Sequence, residues 1–290
     1  AYTLGLSYLE SDSPEQALEV WDAALKKAPK SPLAPALLFR SGEAALKLDK
    51  KAEARRLFAQ AAEVDPSDPW ADDALLRATR LAVEDRDVTE GRRLIAEFKV
   101  RHAKSVLLAD LQLLEGRLAL TAEQPKDAIA ILSPIAGDPM SPAATRSAAR
   151  YYLGLAYRAA GDEAKAAAIL SELAATTSPA NTVGADARFV VASGLFDSKK
   201  YAEAVESLKK YLEERPRGPL VEHAWAYLAV SLAELGKLDE ARQALDSLEK
   251  AAPRGETLNP TRVRLAESAL TLKQYAVAEG LFKSAAASAD

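Results

Sequence analysis

Few residues in this chain have the types and spacing that chemistry requires. The sequence contains two histidines, His102 and His223, and no cysteine, so it offers no thiolate nucleophile, no disulfide and no thiolate metal site. Adjacent acids such as Asp72 and Asp73 point in different directions on a helix and do not suit shared acid–base work. The short motifs of nucleotide-binding, zinc-protease and hydrolase sites are absent from the sequence. We therefore predict no catalytic, cofactor-binding or metal site, and a protein that is not an enzyme.

The residues that could act by binding are positioned by an internal repeat. A small residue recurs along the chain at intervals of 37 or 38 residues, and its eight occurrences are Ala17, Ala54, Gly91, Ala128, Ala166, Ala204, Ala241 and Ala278. A fixed period of this length is typical of a solenoid, in which each repeat buries its apolar face only against its neighbours. The spacing predicts an all-α fold of about eight helical hairpins.

Each repeat contains a second pair of correlated positions. The predicted first helix carries a small residue, at Gly5, Gly42, Thr79, Gly116, Gly154, Ala192, Ala229 and Ala266. The predicted second helix carries a bulky one, at Trp21, Phe58, Ile95, Leu132, Leu170, Leu208, Leu245 and Phe282. Glycine inside a helix costs about 1 kcal/mol relative to alanine, so we expect the bulky side chain to pack closely against each small residue.

Proline and glycine positions support the same register. Almost all prolines fall at predicted joints or at the first turn of a helix, where a missing N–H costs nothing. Pro134 is the exception, and it predicts a kink or an end of the second helix of the fourth hairpin near Ser133. Gly161 and Gly236 fall in the predicted turns of hairpins five and seven, where a positive φ is often needed.

The composition excludes several classes of protein. Hydrophobic residues make up 49% of the chain, charged residues 28% and aromatic residues 6%, which suits packed helices and argues against disorder or a β-rich fold. The formal net charge of -4 gives no overall attraction to nucleic acid or anionic lipid. The sequence has no apolar run of about 18 residues and no signal-peptide pattern, so no membrane span is expected within it.

We predict one continuous solenoid over residues 1–290, because the register is unbroken. The expected repeats span residues 1–30, 31–67, 68–104, 105–141, 142–179, 180–217, 218–254 and 255–290. The first repeat begins at its fourth position and the last stops at its thirty-second. The chain is therefore expected to be a fragment of a longer protein.

The motifs resemble the tetratricopeptide repeat, or TPR. The first helices carry small-xx-Tyr, as in Gly5 to Tyr8 and Gly154 to Tyr157, and the second helices carry Ala-xxx-aromatic-xx-Ala, as in Ala17 to Ala24. The resemblance covers the whole chain, although its period exceeds the usual 34 residues, and it implies a right-handed α-solenoid. The joints, such as Ser31 to Leu38, are similar to those of bacterial cell-envelope TPR proteins of the Tol–Pal-associated and outer-membrane assembly lipoprotein types.

The resemblance implies that first helices line a concave groove for a protein or peptide partner. The implied groove positions are Phe39, Arg40, Arg77, Arg80, Leu113, Leu114, Arg117, Tyr151, Tyr152, Leu155, Arg158, Phe189, Ser193, Phe196, Tyr227, Val230, Arg264 and Glu267. Tyrosine and arginine carry much of the binding energy at protein interfaces. The candidate partner-binding residues are therefore Arg117, Tyr151, Tyr152, Arg158, Phe189 and Tyr227. Packing between neighbouring repeats is the alternative role for the aromatic members.

The expected function is that of a non-catalytic protein–protein interaction scaffold in a larger bacterial envelope or periplasmic protein. Two alternatives stay open: a segment of an exopolysaccharide export apparatus, and a sensor or scaffold segment of a cytoplasmic multidomain regulator. A chaperone-tail adaptor is disfavoured, because its carboxylate clamp needs two asparagines on first helices. This chain has only Asn181 and Asn259, both expected before their helices begin. The oligomeric state is not predicted.

Overall fold

The structure of the chain, a computed structural model, describes residues 1–176 and 182–287. These residues form sixteen α-helices, and no β-strand occurs among them, which confirms the predicted all-α fold class. Pro179 and Asn181, which the sequence places in a joint, lie outside the described residues. The helices divide into an N-terminal body, Ala1–Asp162, and a C-terminal body, Glu163–Asp290. A single continuous array over residues 1–290 stays a prediction.

The N-terminal body contains nine of these helices. They are α1 (Tyr2–Glu10), α2 (Pro14–Lys27), α3 (Ala34–Lys47), α4 (Lys51–Val64), α5 (Ala71–Glu84), α6 (Val88–Arg101), α7 (Leu108–Thr121), α8 (Pro125–Gly137) and α9 (Ala143–Ala159). In the register of the repeat, the odd-numbered members are first helices and the even-numbered members are second helices.

The C-terminal body contains the other seven described helices. They are α10 (Glu163–Ala175), α11 (Thr182–Asp197), α12 (Tyr201–Glu214), α13 (Val221–Glu234), α14 (Leu238–Ala251), α15 (Leu258–Thr271) and α16 (Tyr275–Ala287). Here too the odd-numbered helices are first helices.

Small residues on the first helices receive bulky side chains from the second helices, as the sequence predicts. A Cβ added to Gly42 would lie 2.7 Å from Cε1 of Phe58, whose side chain is fully buried. The same close approach joins Gly5 to Trp21 and Gly116 to Leu132. The bulky side chain thus occupies the space that a β-carbon would need, which is the physical reason for glycine on these helices.

The last bulky position departs from the prediction. Trp21, Phe58, Ile95, Leu132, Leu170, Leu208 and Leu245 are all buried, but Phe282 is 37% exposed. Its neighbour Leu281 is buried instead. Among the described residues, α15 is the one helix that α16 packs against extensively, and it leaves Phe282 partly uncovered.

Every hairpin turn contains one residue in the left-handed region of the backbone. The eight residues are Asp12, Asp49, Arg86, Glu123, Gly161, Lys199, Gly236 and Lys273. In the second hairpin the amide of Lys50 donates to the carbonyl of Ala45 and that of Asp49 to Leu46, the pair of bonds that defines a Schellman motif. The prediction for Gly161 and Gly236 is confirmed, and the six non-glycine members were not anticipated.

Pro134 does not end its helix. Helix α8 continues through it to Gly137, so of the two predicted alternatives the end near Ser133 is wrong, and the kink stays a prediction. Proline removes one backbone donor inside a helix. Three further residues, Ile135 to Gly137, nevertheless stay helical, and the buried side chain of Ile135 anchors this last turn.

The first helices of successive hairpins are the more closely packed set. Helix α5 contacts α7, α7 contacts α9, and α13 contacts both α11 and α15, whereas no two second helices of the described residues pack to this degree. A row of hairpins with this arrangement curves toward its first helices. We call the surface that they form in each body the first-helix face. Over residues 1–176 and 182–287, every helix is too short or too polar to cross a lipid bilayer.

Candidate partner-binding faces

Three of the candidate residues meet on the first-helix face of the N-terminal body. The guanidinium carbon of Arg117, on α7, lies 5.1 Å from the ring centroid of Tyr152 on α9. The ring of Tyr151 meets that of Tyr152 edge to face at 5.2 Å. All three side chains are half-buried. A guanidinium held over an aromatic face keeps its edge available for a carboxylate, so this cluster is suited to an acidic group with an apolar neighbour.

Arg158 lies farther along α9 and is also half-buried. It occupies the last turn of the helix, where a positive charge is favourable toward the helix dipole. Its position on α9 agrees with the register used to select it.

Arginines extend this face along α3 and α5. The Nη1 atom of Arg40 donates to Glu43 at 2.6 Å, and that of Arg77 lies 3.3 Å from the same carboxylate. The guanidinium of Arg40 also lies 4.9 Å from the centroid of Trp70. Arg80 is exposed. It holds the position on α5 that Arg117 holds on α7, so the two guanidiniums lie on adjacent first helices.

Some expected groove positions expose little surface. Phe39, Leu114, Phe189, Ser193 and Val230 are buried. Phe39 packs edge to face against Phe58 and Trp70, so it orders the arginine cluster and offers no surface itself. Part of each predicted helix face is buried against neighbouring helices. The register alone does not show where the exposed part of the face ends and the buried part begins.

The remaining two candidates, Phe189 and Tyr227, meet on the first-helix face of the C-terminal body. Their rings are nearly parallel, with centroids 5.9 Å apart, and Phe196 stacks on Tyr227 at 4.7 Å. Because Phe189 is buried, it holds Tyr227 in place. Tyr227 and Phe196 remain half-buried and form an aromatic wall.

This aromatic wall closes one side of a cavity of about 520 Å³. The lining residues are Phe196, Ala226, Tyr227, Val230, Glu256, Thr257, Pro260, Thr261 and Arg264. Sequence reasoning placed Phe196, Tyr227, Val230 and Arg264 on this face but missed the others. Pro260 and Thr261 lie in the first turn of α15, beside the joint that supplies Glu256 and Thr257. The sequence predicted the start of a helix at Pro260. It did not predict that this helix start lies close to Tyr227 on α13.

Charged groups at the cavity rim are unevenly paired. The Nη2 atom of Arg264 lies 3.3 Å from Glu234 Oε1. Glu222 Oε1 accepts from both the amide and the hydroxyl of Thr257 at 2.9 Å, which fixes the joint beside the cavity. Glu256 is 83% exposed, and it faces His223, whose Nε2 lies at 3.9 Å. His223 thus lies near this site, at the start of α13.

The histidines and acids form no metal centre in the described ranges. Residues 1–176 and 182–287 contain no group of three or more histidine, cysteine or acidic side chains that could hold an ion. His102 caps the end of α6, and its ring lies 5.3 Å from that of Phe98. Asp72 accepts from the Ser105 hydroxyl at 2.6 Å. These side chains therefore serve helix ends and links between hairpins.

Two further clefts lie between second helices. One, of about 440 Å³, separates α6 from α8, and the other, of about 480 Å³, separates α14 from α16. Arg92 and Lys99 of the first cleft correspond in the repeat to Arg242 and Glu249 of the second. Because the clefts recur at equivalent positions with different charges, they reflect the spacing of second helices.

Solved structures with the same fold include proteins of several kinds. PilW, described as a widely conserved type IV pilus biogenesis factor, has a TM-score of 0.63 at 16% identity, and the match covers 79% of this chain and 99% of PilW. PilF of Pseudomonas aeruginosa has a TM-score of 0.58 at 14% identity, covering 78% of this chain and 95% of PilF. The apo form of the quorum sensor NprR of B. thuringiensis has a TM-score of 0.64 at 14% identity, covering 100% of this chain and 86% of NprR. At these identities the likeness shows the fold alone.

Family models give a more direct assignment. No curated protein matches the chain. Two models described as tetratricopeptide repeat match it, one over residues 2–69 and 113–181 and the other over residues 195–257. These matches cover more than half of the chain and agree with the helical hairpins and the small-to-bulky packing. The chain therefore belongs to the tetratricopeptide repeat family, whose members bind protein partners.

Proposed function

We propose that this protein is a non-catalytic scaffold that binds a protein or peptide partner along its first-helix faces. The observation that carries the proposal is the composition of those faces. Half-buried tyrosines and arginines are held in fixed contacts there, as Arg117 is on Tyr152. Side chains of this kind bind well because little conformational entropy is lost when a partner arrives. The partner-binding set is Arg117, Tyr151, Tyr152 and Arg158 in one body and Tyr227, supported by Phe189, in the other.

We further propose that the scaffold serves in the bacterial cell envelope. One structure with this fold supports that placement, since PilW is described as a type IV pilus biogenesis factor. The envelope-like joints of the sequence point the same way. The match to the quorum sensor NprR over the whole chain favours the second candidate, a ligand-responsive regulator.

Affinity capture followed by direct binding tests the proposed function. The 290-residue chain is immobilised, a partner is captured from extract of the source organism, and the purified partner is then titrated calorimetrically. Changing Arg80 and Arg117 together to glutamate should weaken that binding at least tenfold. The matched control changes Arg56 and Arg92, on second helices, to glutamate.

The outcomes separate the candidates. Equal loss of affinity in both double variants, or no loss in either, would contradict binding on the first-helix face. Far-ultraviolet circular dichroism checks that helicity is retained. A regulator would instead bind its partner only when a small ligand is added, so the titration is repeated with and without a dialysed extract of small molecules.

A further inference from the structure

The cavity of the C-terminal body has the form of a side-chain pocket. Phe196 and Tyr227 form one wall, and Ala226, Val230 and Pro260 supply further aliphatic surface. Its volume of about 520 Å³ lies in the range of protein ligand sites and far exceeds the space of one water molecule. The lining is mostly carbon, so a bulky apolar group would displace water that has few polar partners here.

The pocket rim is acidic. Arg264 is the one arginine among the lining residues, and Glu234 neutralises it at 3.3 Å. Glu267 is exposed three residues further along the same helix. Glu256 is 83% exposed and lies 3.9 Å from His223, which is longer than a hydrogen bond. A carboxylate is therefore available beside the pocket, whereas the arginine is already engaged.

The aromatic wall, like the acidic rim, favours a positively charged group. The faces of aromatic rings carry partial negative charge and attract ammonium and guanidinium groups. Tyr227 and Phe196 therefore favour a cation near the pocket for the same reason that Glu256 does. The first-helix face of the N-terminal body has the opposite character, since Arg80 is exposed there and Arg117 lies on Tyr152.

We propose that this pocket receives a partner segment in which a bulky apolar side chain stands next to a lysine or arginine. The apolar side chain fills the space between Tyr227 and Pro260, and the neighbouring cation pairs with Glu256. The inference rests on the proposed function and names the chemistry of the partner at one of its two faces.

Nuclear magnetic resonance with short peptide probes tests the pocket. The probes are acetyl-phenylalanyl-lysine amide, acetyl-phenylalanyl-glutamate amide and acetyl-alanyl-lysine amide, added at millimolar concentration to the ¹⁵N-labelled 290-residue chain. We expect the first probe to shift the amides of Tyr227, Thr257 and Arg264. The glutamate probe should bind at least threefold more weakly, and the alanine probe should produce no saturable shift.

Reversing the rim charge provides the decisive variant. Glu256 lies outside the helices and is exposed, so Glu256→Lys leaves the packing intact, and we expect it to reverse the preference between the two phenylalanine probes. Glu206→Lys, an equal charge change on the exposed side of α12, should leave the preference unchanged. Equal binding of the two phenylalanine probes to the unaltered chain, or shifts confined to the N-terminal body, would overturn the inference.

Failure of this test would not be failure of the proposed function. A chain that ignores the probes but loses its captured partner when Arg80 and Arg117 are reversed still binds along a first-helix face. If the probes do not bind and every variant still captures the partner undiminished, both the pocket inference and the proposed function are contradicted.

Discussion

Arg117 and Tyr152 stand on neighbouring first helices with the guanidinium 5.1 Å from the ring centroid. The ring holds the charged group in one orientation before any partner arrives. A preorganised group loses less conformational entropy on binding than a mobile one. The relationship therefore makes the aromatic ring, and not its hydroxyl, the part of Tyr152 on which the site depends.

Substitutions at Tyr152 should separate the contribution of its ring to partner binding from that of its hydroxyl. We expect Tyr152→Ala to weaken binding of the captured partner about tenfold, equivalent to about 1.4 kcal/mol, because a cation–π contact and apolar contact area are both lost. Tyr152→Phe keeps the ring and should stay within about twofold of the unaltered chain. Calorimetric titration measures both, and equal losses in the two variants would show that the hydroxyl matters instead.

Glycine at position 42 is expected to be irreplaceable for packing reasons. Gly42→Ala places a β-carbon 2.7 Å from the ring of Phe58, which is fully buried and has no free side to move toward. Overpacking of this kind costs about 1–3 kcal/mol, and alanine regains about 1 kcal/mol through its higher helix propensity, so we expect a net loss of up to about 2 kcal/mol. Urea unfolding followed by circular dichroism measures the loss.

Gly194 supplies the matched control for that prediction. It lies inside helix α11, and a β-carbon added there would have no neighbouring heavy atom within 4 Å. Gly194→Ala should therefore raise the free energy of unfolding by up to about 1 kcal/mol, the difference in helix propensity. A loss at Gly194 equal to that at Gly42 would refute the packing explanation.

Substitutions at two turn residues with positive φ should change the free energy of unfolding in opposite directions. Glu123 has a φ of 57° and Gly236 a φ of 76°, a region that costs residues with a β-carbon about 1–2 kcal/mol. Glu123→Gly should raise the free energy of unfolding by about 1 kcal/mol or less, since glycine also gains entropy in the unfolded chain. Gly236→Ala should lower it by about 1 kcal/mol or more. Paired urea titrations test the signs, and two changes in the same direction would contradict the argument.

Asp186 predicts a pH dependence of stability. Burial raises the pKa of its carboxyl above the ordinary value, and the Arg215 guanidinium at 3.9 Å only partly opposes that rise. A carboxyl whose pKa is raised on folding holds its proton more tightly in the folded state, so stability is lost as pH rises from the unfolded pKa through the folded one. The penalty is complete once the pH exceeds the folded pKa.

Removing that charge should therefore stabilise the protein in a pH-dependent way. We expect Asp186→Asn to raise the melting temperature at pH 7, with the gain shrinking as the pH falls toward the ordinary aspartate pKa. Glu206→Gln, at an exposed position of α12, serves as the control and should show no such trend. A gain that is constant with pH would point to packing and not to ionisation.

The register of the repeat was fully readable in the sequence. Ala17 and its counterparts recur because each second helix meets the same neighbours, and the small-to-bulky match of Gly42 with Phe58 follows from that contact. The exposure of Phe282 was not predicted, because periodicity gives every repeat the same surroundings, whereas α16 packs extensively only against α15 among the described helices. Residues with a positive φ were predicted only at turns that contain glycine. Arg86 and Glu123 also adopt a positive φ, but their residue types do not indicate it.

The candidate sites were predictable only in outline. Arg117 and Tyr152 share a face by register, and their contact follows from adjacent helices. The C-terminal cavity combines Tyr227 of α13 with Pro260 of α15 and the joint at Glu256. The depth of such a space depends on side-chain volumes and on the path of the joint, which spacing along the chain does not encode.

Each hairpin turn closes with backbone hydrogen bonds from its own repeat, as Lys50 and Asp49 do with Ala45 and Leu46. A block of 37 residues can consequently be duplicated or deleted in a gene without opening any turn in the copies that remain. The number of repeats can thus change over evolution while each hairpin keeps its geometry, and the length of the available surface becomes a quantity that selection can adjust one repeat at a time.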